Sequence, residues 1–368
     1  MRTKIIEIAG IIIKINISNE ISNLVANDLD AVEKSEFNKF DIEININQSK
    51  DFDYKVISGN NLKFTHAAYI NKFLPNLDYV IENLFLNKPT ILNIDLKSSK
   101  SIKNKLKTIL YGKNIIEKNI ILSYSLFWYI FQIKLMQFNK TFLHAGIFSD
   151  NEENAIAITG TGGGGKTSTL FNILEDSKYN YLSEDFGIID TDGYTYYNPK
   201  PISIYETDMR FNPKVLGKAY SLLTQKEKLL WSFQVKYLKR DPIVKMNPKT
   251  LLNDRIAQKA KLKKVVYVIR ENRKEFEYQS ISKEELSQRS LNVALREFKT
   301  IYEILTLLNA NKPKEYDNIP TFDTFKNDLM QLYLKTFSKT QNFILKIPYK
   351  RTPEDVVIYL KKHGLFDE

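Results

Sequence analysis

The stretch around which the sequence is organised is Gly160-Thr161-Gly162-Gly163-Gly164-Gly165-Lys166-Thr167. It fits G-x-x-x-x-G-K-[ST], the Walker A pattern of a P-loop that surrounds phosphate oxygens with backbone N–H groups. The apolar run at residues 155–159 predicts a strand before the loop, and the apolar spacing in residues 168–174 predicts a helix after it. Glycines permit the tight turn, and the N-terminus of the helix adds a partial positive charge. The stretch therefore predicts a site for the phosphates of a nucleotide.

Two side chains of this motif have roles that follow from phosphate chemistry. We expect Lys166 to reach the β- and γ-phosphates of ATP, and Thr167 to ligate Mg²⁺ through its hydroxyl group. The predicted nucleotide-binding set is the whole motif, residues 160–167, together with Ser168 in the first turn of the helix.

The composition is that of an ordinary globular protein, with 43% hydrophobic and 12% aromatic residues in 368. The chain has no cysteine, which excludes disulfides, thiolate zinc sites and thiol nucleophiles and agrees with a cytoplasmic location. The first residues lead directly into a strand-like run, so we predict no signal peptide. The most apolar window, residues 120–138, is interrupted by Gln132, Lys134 and Gln137, which favours a buried helix over a membrane span.

The net charge of +11 raises the question of a nucleic-acid partner. The lysines are scattered along the chain and form no dense basic stripe, so we expect a solvated basic surface and no nucleic-acid partner. A nucleic-acid-stimulated ATPase stays a further hypothesis that the charge alone motivates.

The sequence divides into a predicted β-rich accessory domain, residues 1–118, and a P-loop domain, residues 119–368. In the first part, residues 5–15 read as strands broken at Gly10, and residues 41–46 alternate like a half-buried strand. No catalytic constellation occurs there. Substrate docking, oligomerisation and structural support stay open as its role, and so does a homo-oligomeric state.

One histidine lies close to the P-loop in sequence. The run at residues 141–148 has strand character and carries His144, and a polar turn then leads into the P-loop strand. We therefore predict that His144 lies on a neighbouring strand. A histidine packed in the core is the alternative reading of this residue.

An acidic pair, Glu184-Asp185, follows the next predicted strand at residues 179–183. We expect the βαβ unit to return this strand directly beside the P-loop strand, so that both carboxylates face the phosphates. One carboxylate could then bind the metal, and the other could accept the proton of an attacking hydroxyl group.

Two short motifs suggest a different function. Residues 38–41 match N-K-x-D, the guanine-reading motif of GTPases, and residues 190–193 match D-x-x-G. The first motif precedes the P-loop and follows no buried strand, so we interpret it as a coincidence. A P-loop GTPase or ATPase that acts as a regulatory switch nevertheless stays the second functional hypothesis.

Taken together, these motifs resemble the HPr kinase family, P-loop kinases with a phosphoenolpyruvate carboxykinase-like core. The match is sharpest at residues 143–146, 160–167 and 182–185, and the resemblance covers residues 120–362. It implies an α/β kinase domain in which Lys166 and Thr167 serve ATP and Mg²⁺. It also implies that Asp185 is the metal-side carboxylate, that Glu184 is the catalytic base, and that His144 neighbours the pair.

Two departures from the family pattern concern the acceptor. The family usually carries Asp-Asp where this chain has Glu184-Asp185, and the R-G-x-G-I signature of true HPr kinases is not found. The resemblance therefore points to a non-HPr branch, whose members include kinases of free serine and of precursor peptides. We expect a hydroxyl group on a small molecule, a peptide or a protein as the acceptor.

Overall fold

A computed structural model of the chain describes residues 2–29, 31–33, 39–46, 56–58, 62–64, 68–71, 77–96, 121, 126–214, 217–253, 255–311 and 319–366. The described part is a mixed α/β protein, as the sequence predicts. It forms two compact units, residues 1–139 with 295–329 and residues 140–294 with 330–368. The predicted domain boundary at residues 118 and 119 lies outside the described residues, as does Asn38 of the N-K-x-D motif.

The described strands of the first unit form one sheet with the order β3-β1-β2-β4-β9-β8-β7-β6-β5. The predicted break at Gly10 is present, because the chain turns there with a φ of 81° between two antiparallel strands. The strands are β1 (Arg2–Ile8), β2 (Ile11–Ile17), β3 (Val32–Glu33), β4 (Ile42–Ile46), β5 (Val56–Ser58), β6 (Leu62–Phe64), β7 (Ala68–Asn71), β8 (Leu77–Glu82) and β9 (Thr90–Leu96).

The second unit contains a larger mixed sheet with the order β10-β14-β15-β18-β12-β11-β13, a further pair β19-β20 joined to β18, and a two-stranded sheet β16-β17. The strands are β10 (Lys140–Leu143), β11 (Ala145–Ser149), β12 (Asn154–Thr159), β13 (Asn180–Ser183), β14 (Gly187–Asp190), β15 (Tyr194–Tyr196), β16 (Ile202–Tyr205), β17 (Ile243–Met246), β18 (Lys259–Glu271), β19 (Glu277–Ser280) and β20 (Gln341–Pro348).

The helices within the described ranges connect and cover these sheets. They are α1 (Glu20–Asp28), α2 (Phe127–Gln137), α3 (Lys166–Ile173), α4 (Glu206–Phe211), α5 (Gly217–Leu222), α6 (Gln225–Lys236), α7 (Pro248–Leu252), α8 (Lys283–Glu297), α9 (Lys299–Asn311), α10 (Phe322–Phe337) and α11 (Pro353–Lys362). None of these described helices combines the length and the apolar character that a membrane crossing requires.

Helix α2 is the buried helix that the apolar window predicts. Every residue from 127 to 135 is buried, so the apolar surface extends around the whole helix and is not confined to one face. Even Lys134 is only 4% exposed, and its ammonium group donates a hydrogen bond of 2.8 Å to the carbonyl oxygen of Lys88. A helix that is apolar on all sides is typical of a protein interior.

The strand that follows the P-loop helix occupies a different place from the predicted one. We expected β13 directly beside β12, but β11 lies between them and pairs antiparallel with both. Helix α3 and the following turn are long enough to carry the chain past one intervening strand. Since β11 is antiparallel to both neighbours, β12 and β13 still run in the same direction, and their carboxyl ends lie at the same edge of the sheet.

Two long strands of this sheet are interrupted at the same level. Strands β10 and β11 are separated by His144 alone, and β13 and β14 are separated by residues 184–186. The antiparallel register pairs Leu143 with Gly187 and Ile147 with Ser183. The break at His144 therefore lies opposite the break that contains the acidic pair.

A row of three buried asparagines crosses the sheet of the first unit. Asn16, Asn45 and Asn93 occupy matched positions on neighbouring parallel strands. Asn16 donates a hydrogen bond of 2.6 Å to the side chain of Asn45, which donates one of 2.9 Å to that of Asn93. Buried amides need such partners, because an unsatisfied polar group in the interior costs free energy.

We expect Asn45→Ala to lower the free energy of unfolding by about 1–3 kcal/mol, because Asn93 then loses the amide that bonds its buried oxygen. Urea unfolding of the full chain measures the change. The control is Asn87→Ala, in an exposed turn between β8 and β9, which should leave the unfolding curve unchanged. Equal curves for the two variants would contradict a stabilising role of the asparagine row.

Candidate active site

The glycine-rich loop joins β12 to α3, as the motif predicts. Its backbone is left-handed at Gly160, Gly163 and Gly165, with φ of 147°, 81° and 86°. A Cβ atom at Gly160 would lie 2.5 Å from the carbonyl oxygen of Val268, whereas a Cβ atom at Gly162 or Gly163 would meet nothing within 4 Å. The loop therefore needs glycine at Gly160 for close packing on β18, while its middle faces open space.

The first three residues of α3 send their side chains to three different partners. The Lys166 ammonium group donates a hydrogen bond of 3.0 Å back to the carbonyl oxygen of Thr161. The Thr167 hydroxyl group donates one of 2.7 Å to Oε1 of Glu184. The Ser168 hydroxyl group donates one of 2.7 Å to Oδ1 of Asp208. The loop is thus linked to the acidic pair and to α4.

Glu184 is a buried carboxylic acid, only 8% exposed. Burial, and then repulsion from Asp185, raise the pKa of Glu184 to about 7. The Thr167 hydroxyl group and the nearby Lys166 and Lys200 act in the opposite direction. Two adjacent carboxylates that are largely shielded from water repel each other, so a cation beside them stabilises their charged forms.

Asp185 has partners of its own. Its backbone is left-handed, with a φ of 72°, a conformation that is strained for a residue other than glycine. Its Oδ1 lies 3.4 Å from Nε2 of His144, and its Oδ2 accepts a hydrogen bond of 2.9 Å from the ammonium group of Lys200. The left-handed backbone thus separates the two carboxylates, since Glu184 contacts the loop helix and Asp185 contacts His144 and Lys200.

This arrangement differs from the division of roles that the family resemblance implies. Thr167, the expected Mg²⁺ ligand, contacts Glu184 rather than Asp185. His144, the expected neighbour of the pair, contacts Asp185. His144 lies in the break between β10 and β11, with its carbonyl oxygen accepting a hydrogen bond of 3.0 Å from Thr159 at the end of β12.

Three arginines, Arg210, Arg255 and Arg270, are candidates from the sequence for stabilising the charge of a transferred phosphoryl group, and they lie in different environments. Arg270, on β18, places Nη2 3.1 Å from the position that a Cβ atom of Gly165 would take. Burial lowers the pKa of Arg270, yet a guanidinium group stays charged. Arg210 pairs with Glu206 on α4, and Arg255 bonds the carbonyl oxygen of Leu174. Arg270 is therefore the arginine of the three that adjoins the loop.

The aspartate of the D-x-x-G match, Asp190, stabilises a turn in the structure. Oδ1 of Asp190 accepts hydrogen bonds of 2.9 Å and 2.8 Å from the backbone N–H groups of Asp192 and Tyr194, and Oδ2 accepts one of 2.6 Å from the Tyr196 hydroxyl group. The Asp190 carboxylate therefore closes the turn between β14 and β15.

The sequence did not identify Lys200 or Asp208 as residues of this site, and it indicated Arg270 only as one of three candidate arginines. Lys200 lies in the Asn-Pro-Lys-Pro stretch at residues 198–201, where a lysine between two prolines is a weak signal. Its place beside Asp185 depends on contacts between residues distant in sequence, which a motif does not reveal.

The residues of the site fit Mg²⁺ and a nucleoside triphosphate. The described residues contain no group of three or more His, Cys, Asp or Glu that could hold a metal ion by themselves. Magnesium sites in phosphoryl-transfer proteins use one or two carboxylates together with phosphate oxygens, and the acidic pair beside Thr167 supplies such a partial set. The open space at Gly162 and Gly163 leaves room for phosphate groups against the backbone.

No protein-family model matches the chain, and no curated protein matches it. The HPr kinase family therefore stays a resemblance carried by the three motifs.

Gly160→Ala and Gly162→Ala form a matched pair that tests the loop geometry. We expect Gly160→Ala to lower the melting temperature, because the added methyl group meets the carbonyl oxygen of Val268, at a cost of about 1–3 kcal/mol. Gly162→Ala should keep the melting temperature of the parent, since its methyl group enters open space. Thermal unfolding of the nucleotide-free protein measures both. Equal losses would contradict the described loop.

The raised pKa of Glu184 predicts a pH-dependent stability of the metal-free protein. The native state binds the proton more tightly than the unfolded state, so stability falls as the pH rises from about 4.5 to about 7. Glu184→Gln removes this loss and keeps an oxygen acceptor for Thr167. Its melting temperature relative to the parent should therefore increase from pH 5 to pH 8. Glu152→Gln, at an exposed turn, is the control, and a constant difference for Glu184→Gln would refute the shift.

Proposed function

We propose that the protein is an ATP-dependent phosphotransferase that moves the γ-phosphoryl group of ATP to a hydroxyl group of an acceptor. The observation that carries this proposal is the 2.7 Å hydrogen bond from Thr167 to Glu184. It joins the glycine-rich motif, at the carboxyl end of β12, to the buried Glu184 of the acidic pair, at the carboxyl end of β13, and ligands of α/β sheets bind at such strand ends. Phosphoryl transfer needs both parts, since the reaction depends on positioning and on charge stabilisation.

In this proposal the chain holds the phosphates with the backbone of residues 160–165 and with Lys166, on a P-loop core of the phosphoenolpyruvate carboxykinase-like kind. When bound, ATP supplies the phosphoryl group, and Mg²⁺ offsets the phosphate charge. Lys166 exchanges its contact with the carbonyl oxygen of Thr161 for phosphate oxygens. Arg270, beside Gly165, adds a fixed positive charge next to the loop.

The contacts favour exchanging the roles of Glu184 and Asp185 relative to those that the family resemblance implies. Glu184 shares a hydrogen bond with Thr167, so we assign these two residues to the Mg²⁺ side. Asp185 is held between His144 and Lys200, so we assign it the acceptance of the proton from the acceptor hydroxyl group. His144 orients the Asp185 carboxylate and can carry the proton onward.

The regulatory switch is the weaker of the two hypotheses. Its D-x-x-G match depends on Asp190, whose carboxylate is occupied by the turn between β14 and β15. Nucleotide preference separates the two functions. Binding of GTP with no binding of ATP would favour the switch.

Three variants test the proposal through Mg²⁺-dependent ATP binding and single-turnover transfer. Lys166→Ala should abolish transfer while the protein stays folded, because in this proposal the ammonium group serves the phosphates, and in the structure it donates a hydrogen bond to the loop carbonyl oxygen of Thr161. Glu184→Gln should weaken ATP binding in the presence of Mg²⁺ far more than in its absence. Asp185→Asn should bind Mg²⁺ and ATP almost as well as the parent but slow transfer by about 10²–10⁴-fold, the scale expected for losing a general base.

The control is Glu152→Gln, which neutralises an exposed carboxylate in the turn between β11 and β12, outside the candidate site. This variant should bind ATP and transfer the phosphoryl group as the parent does. Full activity of Lys166→Ala would refute the phosphate site. If Glu184→Gln slows transfer without changing the Mg²⁺ dependence, and Asp185→Asn weakens Mg²⁺-dependent binding, the original assignment from the family resemblance is the right one.

A further inference from the structure

A basic cavity lies beside the glycine-rich loop in the second unit. Its volume is about 620 Å³, within the range of small-molecule sites. Two turns form it, residues 272–274 after β18 and residues 349–351 after β20, together with Pro348 at the end of β20. Both strands are parallel to β12 in a connected sheet. The cavity therefore lies at the same edge of the sheet as the loop, yet it contains none of the loop residues.

The lining of this cavity is strongly cationic. Arg273, Lys274, Lys350 and Arg351 contribute positive charges, against a single lining carboxylate, that of Asp355. The Asp355 carboxylate accepts a hydrogen bond of 3.0 Å from the backbone N–H group of Thr352, at the N-terminus of α11. The one negative charge of the lining is thus used to cap a helix.

Three of these cations, Lys274, Lys350 and Arg351, have no carboxylate partner among the described residues, and the Arg351 guanidinium group lies 5.7 Å from the centre of the Phe276 ring. Lys274 and Lys350 are exposed and form no ion pair there, whereas Arg273 pairs with Glu271 and Glu277 at 3.4 Å and 2.6 Å. The ammonium groups of Lys274 and Lys350 are therefore available to a ligand. A concave surface that carries one sign of charge concentrates ions of the opposite sign.

Arg270 connects this cavity to the glycine-rich loop. Its Nη1 donates hydrogen bonds of 3.0 Å and 2.9 Å to the carbonyl oxygens of Tyr349 and Arg351, which belong to the lining. Its Nη2 lies 3.1 Å from the position of a Cβ atom at Gly165. One guanidinium group thus holds the second turn of the cavity against the end of the loop.

We propose that this cavity binds an anionic group, a phosphate or a carboxylate, of a small-molecule phosphoryl acceptor. The inference rests on the proposed phosphotransferase function and names its substrate class. A nucleoside triphosphate repels an acceptor that carries its own negative charge. The cations of the cavity lining, beside the phosphate site, offset that repulsion. The cavity volume favours a small molecule over a protein surface, and the charged lining disfavours an apolar one.

The test is calorimetric binding of inorganic phosphate at low ionic strength. The glycine-rich loop is first saturated with Mg²⁺ and a non-hydrolysable ATP analogue, so that any phosphate binding measured afterwards occurs at another site. The test variant is Lys274→Gln/Lys350→Gln, and the control is Lys361→Gln/Lys362→Gln, which removes two exposed charges at the far end of α11.

We expect the parent and the control to bind phosphate together with the nucleotide analogue. The test variant should bind phosphate at least about tenfold more weakly, since two charge-assisted contacts are lost, while its affinity for the analogue stays unchanged. Equal phosphate affinity in the test and control variants would overturn the inference. Displacement of phosphate by the analogue would overturn it as well, because the cavity would then belong to the nucleotide site.

A second arm separates this inference from the proposed function. In Lys166→Ala without nucleotide, phosphate should still bind, and the Lys274→Gln/Lys350→Gln changes should still weaken that binding about tenfold. If the ATP analogue fails to bind the parent while this pattern holds, the phosphotransferase proposal fails and the anion site stands. Loss of phosphate binding in Lys166→Ala alone would assign the anion to the loop and overturn the cavity.

Discussion

The paired interruption of two antiparallel strands is the constraint on which the site depends. Residues 140–149 and 180–190 run side by side, and both ladders break where His144 faces residues 184–186. Within a regular strand, consecutive side chains alternate between the two faces of the sheet. At the break, the left-handed φ of Asp185 interrupts this alternation, so the side chains of the acidic pair do not follow it. Glu184 can therefore reach the loop helix while Asp185 reaches His144 and Lys200, and two adjacent carboxylates acquire different surroundings.

The start of helix α3 joins this break to the glycine-rich loop. Consecutive residues of an α-helix point about 100° apart, so Lys166, Thr167 and Ser168 face three directions. Their partners are the loop carbonyl of Thr161, the acidic pair, and α4. One helical turn therefore connects elements that strand β11 separates within the sheet. This explains how Glu184 meets Thr167 although β13 is not adjacent to β12.

The sequence predicts those parts of the site that local signals determine. The glycine-rich loop, its flanking strand and helix, and the acidic pair after β13 all occur where the motif and the apolar runs indicate. The position of β11 between β12 and β13 was not predictable, because strand order depends on pairing between distant segments. The same reason applies to Lys200 and Asp208.

The positive charges around the loop differ in how easily a ligand can recruit them. Arg270 is fixed by the carbonyl oxygens of Tyr349 and Arg351, and Lys200 is fixed by Asp185. Lys166 instead donates a hydrogen bond to the carbonyl oxygen of Thr161 in the glycine-rich loop, a neutral partner that a phosphate oxygen would outcompete because charge-assisted bonds are stronger. In the proposed phosphotransferase, Arg270 and Lys200 would therefore provide positive charge that needs no reorientation when a ligand binds, whereas Lys166 would exchange its partner. Electrostatic stabilisation of phosphoryl transfer is most effective when most of the charge is held in place beforehand.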